Sequence, residues 1–271
     1  MTTDSEPGAG FVRVADLDVY YETHGSGPPL VLLHGAMSAT GTSFGAILPA
    51  LAERHRVISI EQQAHGHTAA IDRPLRIPTM ARDTAAVLHA LDIDRADVLG
   101  YSMGAGVALQ LALDEPAFVG RLALVSITYD PSGFHPGLMA GLDQLTPDQV
   151  MGSPWHTEYL SIAPRPEDFP TMVEQVKDMN RNIPSFSEDQ IRGIAAPTLI
   201  VVGDSDIVTP EHAVAMFRLR GGGVVGDLAG LPPSQLAILP GTPHSSIMRR
   251  SDLLVPILTA FLDAPMPNAA S

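Results

Sequence analysis

The chain reads as an α/β protein: a mostly parallel, doubly wound sheet, opened by an antiparallel hairpin and interrupted by a helical insertion. Three observations predict this. Short apolar runs with no polar alternation recur along the chain, as expected of strands buried on both faces of a parallel sheet. Helical-period patterns lie between most of them, so strands and helices alternate. Between Tyr129 and about Gly193 the rhythm breaks into a proline- and methionine-rich stretch with no convincing buried strand.

The elements follow in order. Residues Phe11–Thr23 alternate around "ADLD" as a hairpin does, and "GSGPP" then punctuates the chain. "LVLL" at Leu30–Leu33 is the first buried strand. Val57–Ile60, Asp97–Leu99, Leu122–Ile127, Thr198–Val202 and Leu236–Leu239 repeat the pattern. Met80, Thr84, Val87, Leu88 and Leu91 fall on one helical face, which predicts a helix over 79–91. Phe44–Arg54, Ala105–Leu113, Glu211–Arg218 and Leu253–Leu262 are further helices. The prolines at 131, 136, 147, 154, 164, 166, 170 and 184 restrict the insertion to short helical pieces. A cap over the carboxyl edge of the sheet explains so long a break better than a structureless loop does. The expected division is a core domain of 1–128 and 193–271, with a cap of 129–192. "GGGVVGDLAGLPP" at 221–233 reads as a flexible surface insertion.

Bulk properties narrow the function. With 16 Lys+Arg against 30 Asp+Glu, the formal net charge is −14. That argues against nucleic acid and against anionic membrane surfaces, both of which need a basic patch. Cysteine is absent, which removes disulfides, thiolate metal sites and a cysteine nucleophile. The opening "MTTDSEPGAG" lacks the basic and apolar regions of a secretory signal. No apolar run reaches the roughly 18 residues that a membrane span needs. A cytoplasmic protein with a small-molecule partner is expected; homo-oligomerisation stays open.

The chemistry centres on "GYSMGAG", residues 100–106. Ser102 follows an apolar strand and precedes a helix of small residues, the setting of a nucleophile elbow. A turn that sharp needs neighbours without side chains at −2 and +2, here Gly100 and Gly104. A serine hydroxyl needs a base, and the base an orienting acid. Of ten histidines, His244 in "LPGTPHSSIM" stands just after the last strand, on the edge where active sites of open α/β sheets gather. The acid should end another strand. In "TLIVVGDSDIVTP" Asp206 is preferred over Asp204, and Asp130 after the Leu122–Thr128 run is a further alternative. The oxyanion hole should combine the Met103 amide with one from "HGAM" (34–37), Ala36 before Met37. His34 suits a loop-holding role. His65 and His67 have too few companions for a metal, and no cofactor is called for.

Taken together, "VLLHGAM", "EQQAHGHT", "GYSMGAG", "GDSDIVTP" and "PGTPHSS", in order over almost the whole chain, resemble the α/β-hydrolase fold superfamily in its serine esterase/lipase-like branch with a short cap. The resemblance implies Ser102 as nucleophile, Asp206 as acid, His244 as base, and the Ala36 and Met103 amides as oxyanion hole. The chain departs from the family pattern at Ala64, a small residue where glycine is common. It also carries an insertion near 221–233, longer than usual, that could leave His244 on a more mobile loop. A serine nucleophile argues against the dehalogenase and epoxide hydrolase branches, which use aspartate. The expected activity is hydrolysis of a carboxylic ester or lactone of a small to medium, largely apolar substrate. Acyl transfer, C–C bond hydrolysis or perhydrolysis would use the same residues, and a non-catalytic small-molecule receptor is the alternative of another class. Leu138, Met139, Leu142, Leu145, Trp155, Phe169 and Met172 would line an apolar pocket or form the cap's own core.

Overall fold

The computed structural model describes residues 8–266. Eight strands form one sheet in the order β1-β2-β4-β3-β5-β6-β7-β8. They are β1 (Gly8–Val14), β2 (Leu17–His24), β3 (Pro29–Leu33), β4 (Arg56–Ile60), β5 (Ala96–Tyr101), β6 (Val119–Val125), β7 (Thr198–Ser205) and β8 (Ser234–Pro243). The β1/β2 hairpin and the β2/β4 pair are antiparallel, and every later pair is parallel. The unalternated apolar runs now have a physical reason. In β3, Val31 and Leu33 enter one core while Leu30 and Leu32 enter the other. Leu122 and Leu124 of β6 divide in the same way from Ala123 and Val125, so both sheet faces are dry.

Helices cover those faces. One carries α3 (Ile77–Ala90), α4 (Met103–Asp114) and α10 (Pro210–Leu219). The other carries α1 (Thr40–Phe44), α2 (Leu48–Ala52) and α12 (Ser251–Leu262), which bury Phe44, Leu51, Leu254, Leu258 and Phe261. The single helix expected over Phe44–Arg54 is two. Pro49 lies in the first turn of α2, and its missing N–H suits the start of a helix but cannot continue one. The chain tightens ahead of it, with the Ile47 amide on the Phe44 carbonyl at 2.9 Å. Ala64 sits at φ 66°, in the left-handed region. That conformation costs a residue with a side chain about 1–2 kcal/mol, which explains why glycine is common there.

Between β6 and β7 lie α5 (Leu138–Asp143), α6 (Pro147–Val150), α7 (Pro154–Ile162), α8 (Phe169–Arg181) and α9 (Glu188–Arg192), with two short 3-10 turns. Among the described residues no strand interrupts them, apart from the single bridge of Phe134 to Val208. Prolines begin these helices more than they break them: Pro147, Pro154 and Pro170 each lie in a first turn. The restriction to short pieces therefore fails for α8, whose 13 residues carry Pro170 in their first turn and end before Pro184. Within 221–233 a short helix, α11 (Gly226–Ala229), exposes Leu228 and, beyond it, Leu231 at 87% and 91%. No helix among the described residues is long and apolar enough to cross a membrane.

The topology already locates a crevice. From β3 the chain steps to β4 on one side, then returns to place β5 on the other. Ligands bind in open α/β sheets where the order reverses in this way, beyond the carboxyl ends of the strands. The loop after β3 and the turn after β5 meet there.

Candidate active site

Ser102 occupies the turn between β5 and α4 at φ 54° and ψ −117°. That is a strained conformation for any residue with a side chain. Two glycines permit it. A Cβ at Gly100 would stand 2.6 Å from Ala105 Cα, and one at Gly104 would meet the Leu33 and His34 carbonyls. Because those obstacles are backbone, Gly104→Ala should destabilise the fold by about 3 kcal/mol, at the upper end of overpacking. A thermal melt beside the wild type measures it.

The structure brings Ser102, His244 and Asp206 together. His244 Nε2 lies 3.0 Å from Ser102 Oγ, and His244 Nδ1 lies 2.7 Å from Asp206 Oδ1. Asp206 is buried, with 5% of its surface exposed. Burial works to raise its carboxyl. Hydrogen bonds from His244, Ser126 and the Gly203 amide, with the His244 charge, win and hold it below the ordinary carboxylate range. An ionised Asp206 only accepts, so Nδ1–H donates to it and Nε2 is left to accept the Ser102 proton.

The other two aspartates are engaged elsewhere. Asp204 accepts the amides of Gly241 at 2.8 Å and Thr242 at 3.1 Å, tying down the end of β8 that leads to His244. Tyr101 adds a second tie, its hydroxyl donating to the His244 carbonyl at 2.9 Å. Burial, then the Asp206 charge, raise that phenol, so it stays a donor. Asp130 accepts the Ser132 amide at the start of a 3-10 turn, away from His244.

Ser126, which sequence reasoning missed, donates its hydroxyl to Asp206 Oδ2 at 2.5 Å from a left-handed backbone at φ 58°. Nothing local in "LVSITYD" signals this; the contact depends on the pairing of β6 with β7.

Ala36 and Met103 both line the cavity above Ser102, and neither amide has a hydrogen-bond acceptor among the described residues. Two free N–H groups flanking a serine can hold a developing oxyanion. His34 braces the first of these loops. Its Nδ1–H donates to the Gly35 carbonyl at 2.8 Å, and Nε2 accepts the Gln62 amide at 2.9 Å. Burial lowers His34 and takes His65 down to about 3, so both are neutral. His67 pairs instead with the buried Glu61 at 2.9 Å. Neither His65 nor His67 faces the cavity.

The cavity measures about 340 Å³ and opens on Ser102 and His244. Of the seven residues expected to line a pocket or form a core, Met139, Leu142, Leu145 and Trp155 line it. Phe169 and Met172 are buried in the packing of the helical segment, and Leu138 does neither. Both expectations hold, for different residues.

Known proteins bear on this geometry. The chain is 24% identical over 268 residues to a protein of Azorhizobium caulinodans named "Putative carbamate hydrolase RutD", over 93% of this chain and 97% of that one. It is 36% identical over 134 residues to the sn-1-specific diacylglycerol lipase ABHD11 of Xenopus laevis, over 48% of this chain but only 42% of the lipase. Among solved structures, the CarC serine hydrolase involved in carbazole degradation has a TM-score of 0.75 at 20% identity, over 94% of this chain and 98% of its own. The family profile described as alpha/beta hydrolase fold matches residues 28–169, just over half of the 271. The chain belongs to the alpha/beta hydrolase fold family and is a hydrolase of that fold.

Proposed function

We propose that this protein is a serine hydrolase that cleaves a carboxylic ester or lactone of a small to medium, largely apolar substrate through an acyl-enzyme on Ser102. The observation that carries the reading is the unbroken chain from Asp206 through His244 to Ser102, ending at the floor of an apolar cavity. In the first half-reaction Ser102 Oγ attacks the carbonyl carbon while its proton passes to His244 Nε2. The carbonyl oxygen takes the negative charge and rests against the Ala36 and Met103 amides. When the tetrahedral adduct collapses, the C–O bond to the alcohol breaks and His244 returns the proton to the leaving oxygen. Water, losing a proton to His244, then attacks the acyl carbon; the bond to Ser102 Oγ breaks, His244 returns the proton to that oxygen, and the acid leaves. Asp206, Ser126 and Tyr101 hold the imidazole in place.

The helices between β6 and β7 act in this reading as a cap, with Met139, Leu142, Trp155, Val176 and Met179 as its wall over the serine. A panel of p-nitrophenyl esters of rising acyl length, with lactones alongside, tests the assignment. The expected result is turnover that peaks at a medium acyl chain, since the cavity's about 340 Å³ is too small for a long lipid chain. A space of that size lies at the lower end of small-molecule pockets. Turnover equal in Ser102→Ala, or none on any ester or lactone, would contradict it.

A further inference from the structure

Glu158 lies on α7 in the cap, half-buried, and its carboxylate reaches out of the cap into the core domain. It accepts the Ala39 amide at 3.0 Å, the Thr42 amide at 2.8 Å and the Thr42 hydroxyl. These groups belong to the start of α1, where a helix ordinarily draws a side-chain acceptor from the residue just before it. That residue is Ala39, which has none to offer. Glu158 supplies the acceptor from across the molecule. A Cβ at Gly41 would collide with its Oε1, so the bare glycine is what lets the carboxylate close on the turn.

The turn it grips is wired to the oxyanion loop. Ser43, one turn along α1, accepts the Gly35 amide at 3.3 Å and meets Ser38 Oγ at 2.6 Å. Ser38 in turn donates to the Gly35 carbonyl at 2.8 Å. Ala36, which lines the cavity, is strung between Gly35 and Ser38. From the core side, the buried Glu61 accepts the Thr40 amide at 3.3 Å, and Thr40 Oγ1 pairs with Ser59 Oγ at 2.8 Å. The base of the loop is thus held by one carboxylate from the core and one from the cap.

We infer that Glu158 is a positioning residue: the seating of the cap sets the oxyanion loop, so cap and oxyanion hole are assembled together. This rests on the proposed role of the Ala36 amide, and it departs from a cap that only walls the substrate. A wall changes binding; a loop holder changes the chemical step.

Three variants and two readouts test it. The variants are Glu158→Ala, Glu158→Gln and Gly41→Ala, the last displacing the carboxylate without removing it. On p-nitrophenyl acetate, too short to need the cap's walls, Glu158→Ala and Gly41→Ala should lower kcat about tenfold, a fraction of the loss on deleting an oxyanion donor. KM should stay within about twofold, and Glu158→Gln, whose single amide oxygen replaces only one of the two accepting oxygens, should recover part of the rate. Amide hydrogen exchange over residues 35–44 should speed up in the two impaired variants and by less in Glu158→Gln. Exchange in β5 and α4 should not change. A rise in KM with unchanged kcat would reduce Glu158 to a cap fastener and overturn the inference. So would unchanged exchange over 35–44. Because exchange needs no turnover, it decides the point even if the wild type hydrolyses no ester, a result that would count against the proposed activity alone.

Discussion

Ser102→Ala and His244→Ala are each expected to lower kcat/KM on the best ester by about a millionfold while leaving the fold intact. The size follows from how the two residues work. Without Ser102 Oγ no acyl-enzyme forms. Without His244 the hydroxyl keeps its proton, and the 3.0 Å contact that would accept it is lost. The double variant should be no worse than either single one, because both changes remove the same step. What should persist is the contribution of the proposed oxyanion amides and of the rest of the cavity wall. Steady-state kinetics on the three variants, with melting curves to check folding, measures this. Losses that multiplied in the double variant would mean that the serine and histidine act separately.

Asp206→Asn carries the second largest effect, about 10⁴ in kcat. Asparagine can present an N–H where the carboxylate accepted one, which favours the imidazole tautomer with its proton on Nε2, facing Ser102. That tautomer cannot act as base. Asp204→Asn, by contrast, should cost less than about tenfold. There an amide oxygen can still receive one of the Gly241 and Thr242 amides. The pH dependence of stability has a definite sign. The Asp206 carboxyl is lower in the fold than in the unfolded chain, where an aspartate titrates at about 3.9. Its contribution is therefore fully present above that unfolded value and is lost as pH falls through the folded one. Asp206→Asn should flatten that part of the acid limb in a series of melts against pH.

Much of this arrangement is legible in the sequence because it is built from local chemistry. The strands declare themselves since each apolar residue faces one of two dry cores. The elbow does so because Gly100 must lack a side chain for β5 to approach α4, and Gly104 for α4 to approach the end of β3. What stays hidden depends on contacts between distant segments. Two aspartates separated by one residue lie at the end of β7 and just past it, and only the pairing of β7 with β8 turns Asp204 toward Gly241 and Asp206 toward His244. Ser126 reaches Asp206 across neighbouring strands, and Glu158 reaches α1 across more than a hundred residues. No periodicity records such contacts. The break between α1 and α2 could have been read from Pro49, which suits the first turn of a helix better than its interior. The division of the apolar residues between β6 and β7 into wall and core could not, because both tasks call for the same side chains.

The proposed activation of Ser102 by His244 and Asp206 is tested by the intact mass of the protein after treatment with a small organophosphonate. The probe needs an activated serine but no knowledge of the substrate. The expected result is a single adduct on the wild type at neutral pH, mapped to Ser102 by peptide mass, with none on Ser102→Ala and far slower labelling of His244→Ala and Asp206→Asn. An unlabelled wild type at millimolar probe, or a label that persists in Ser102→Ala, would contradict it.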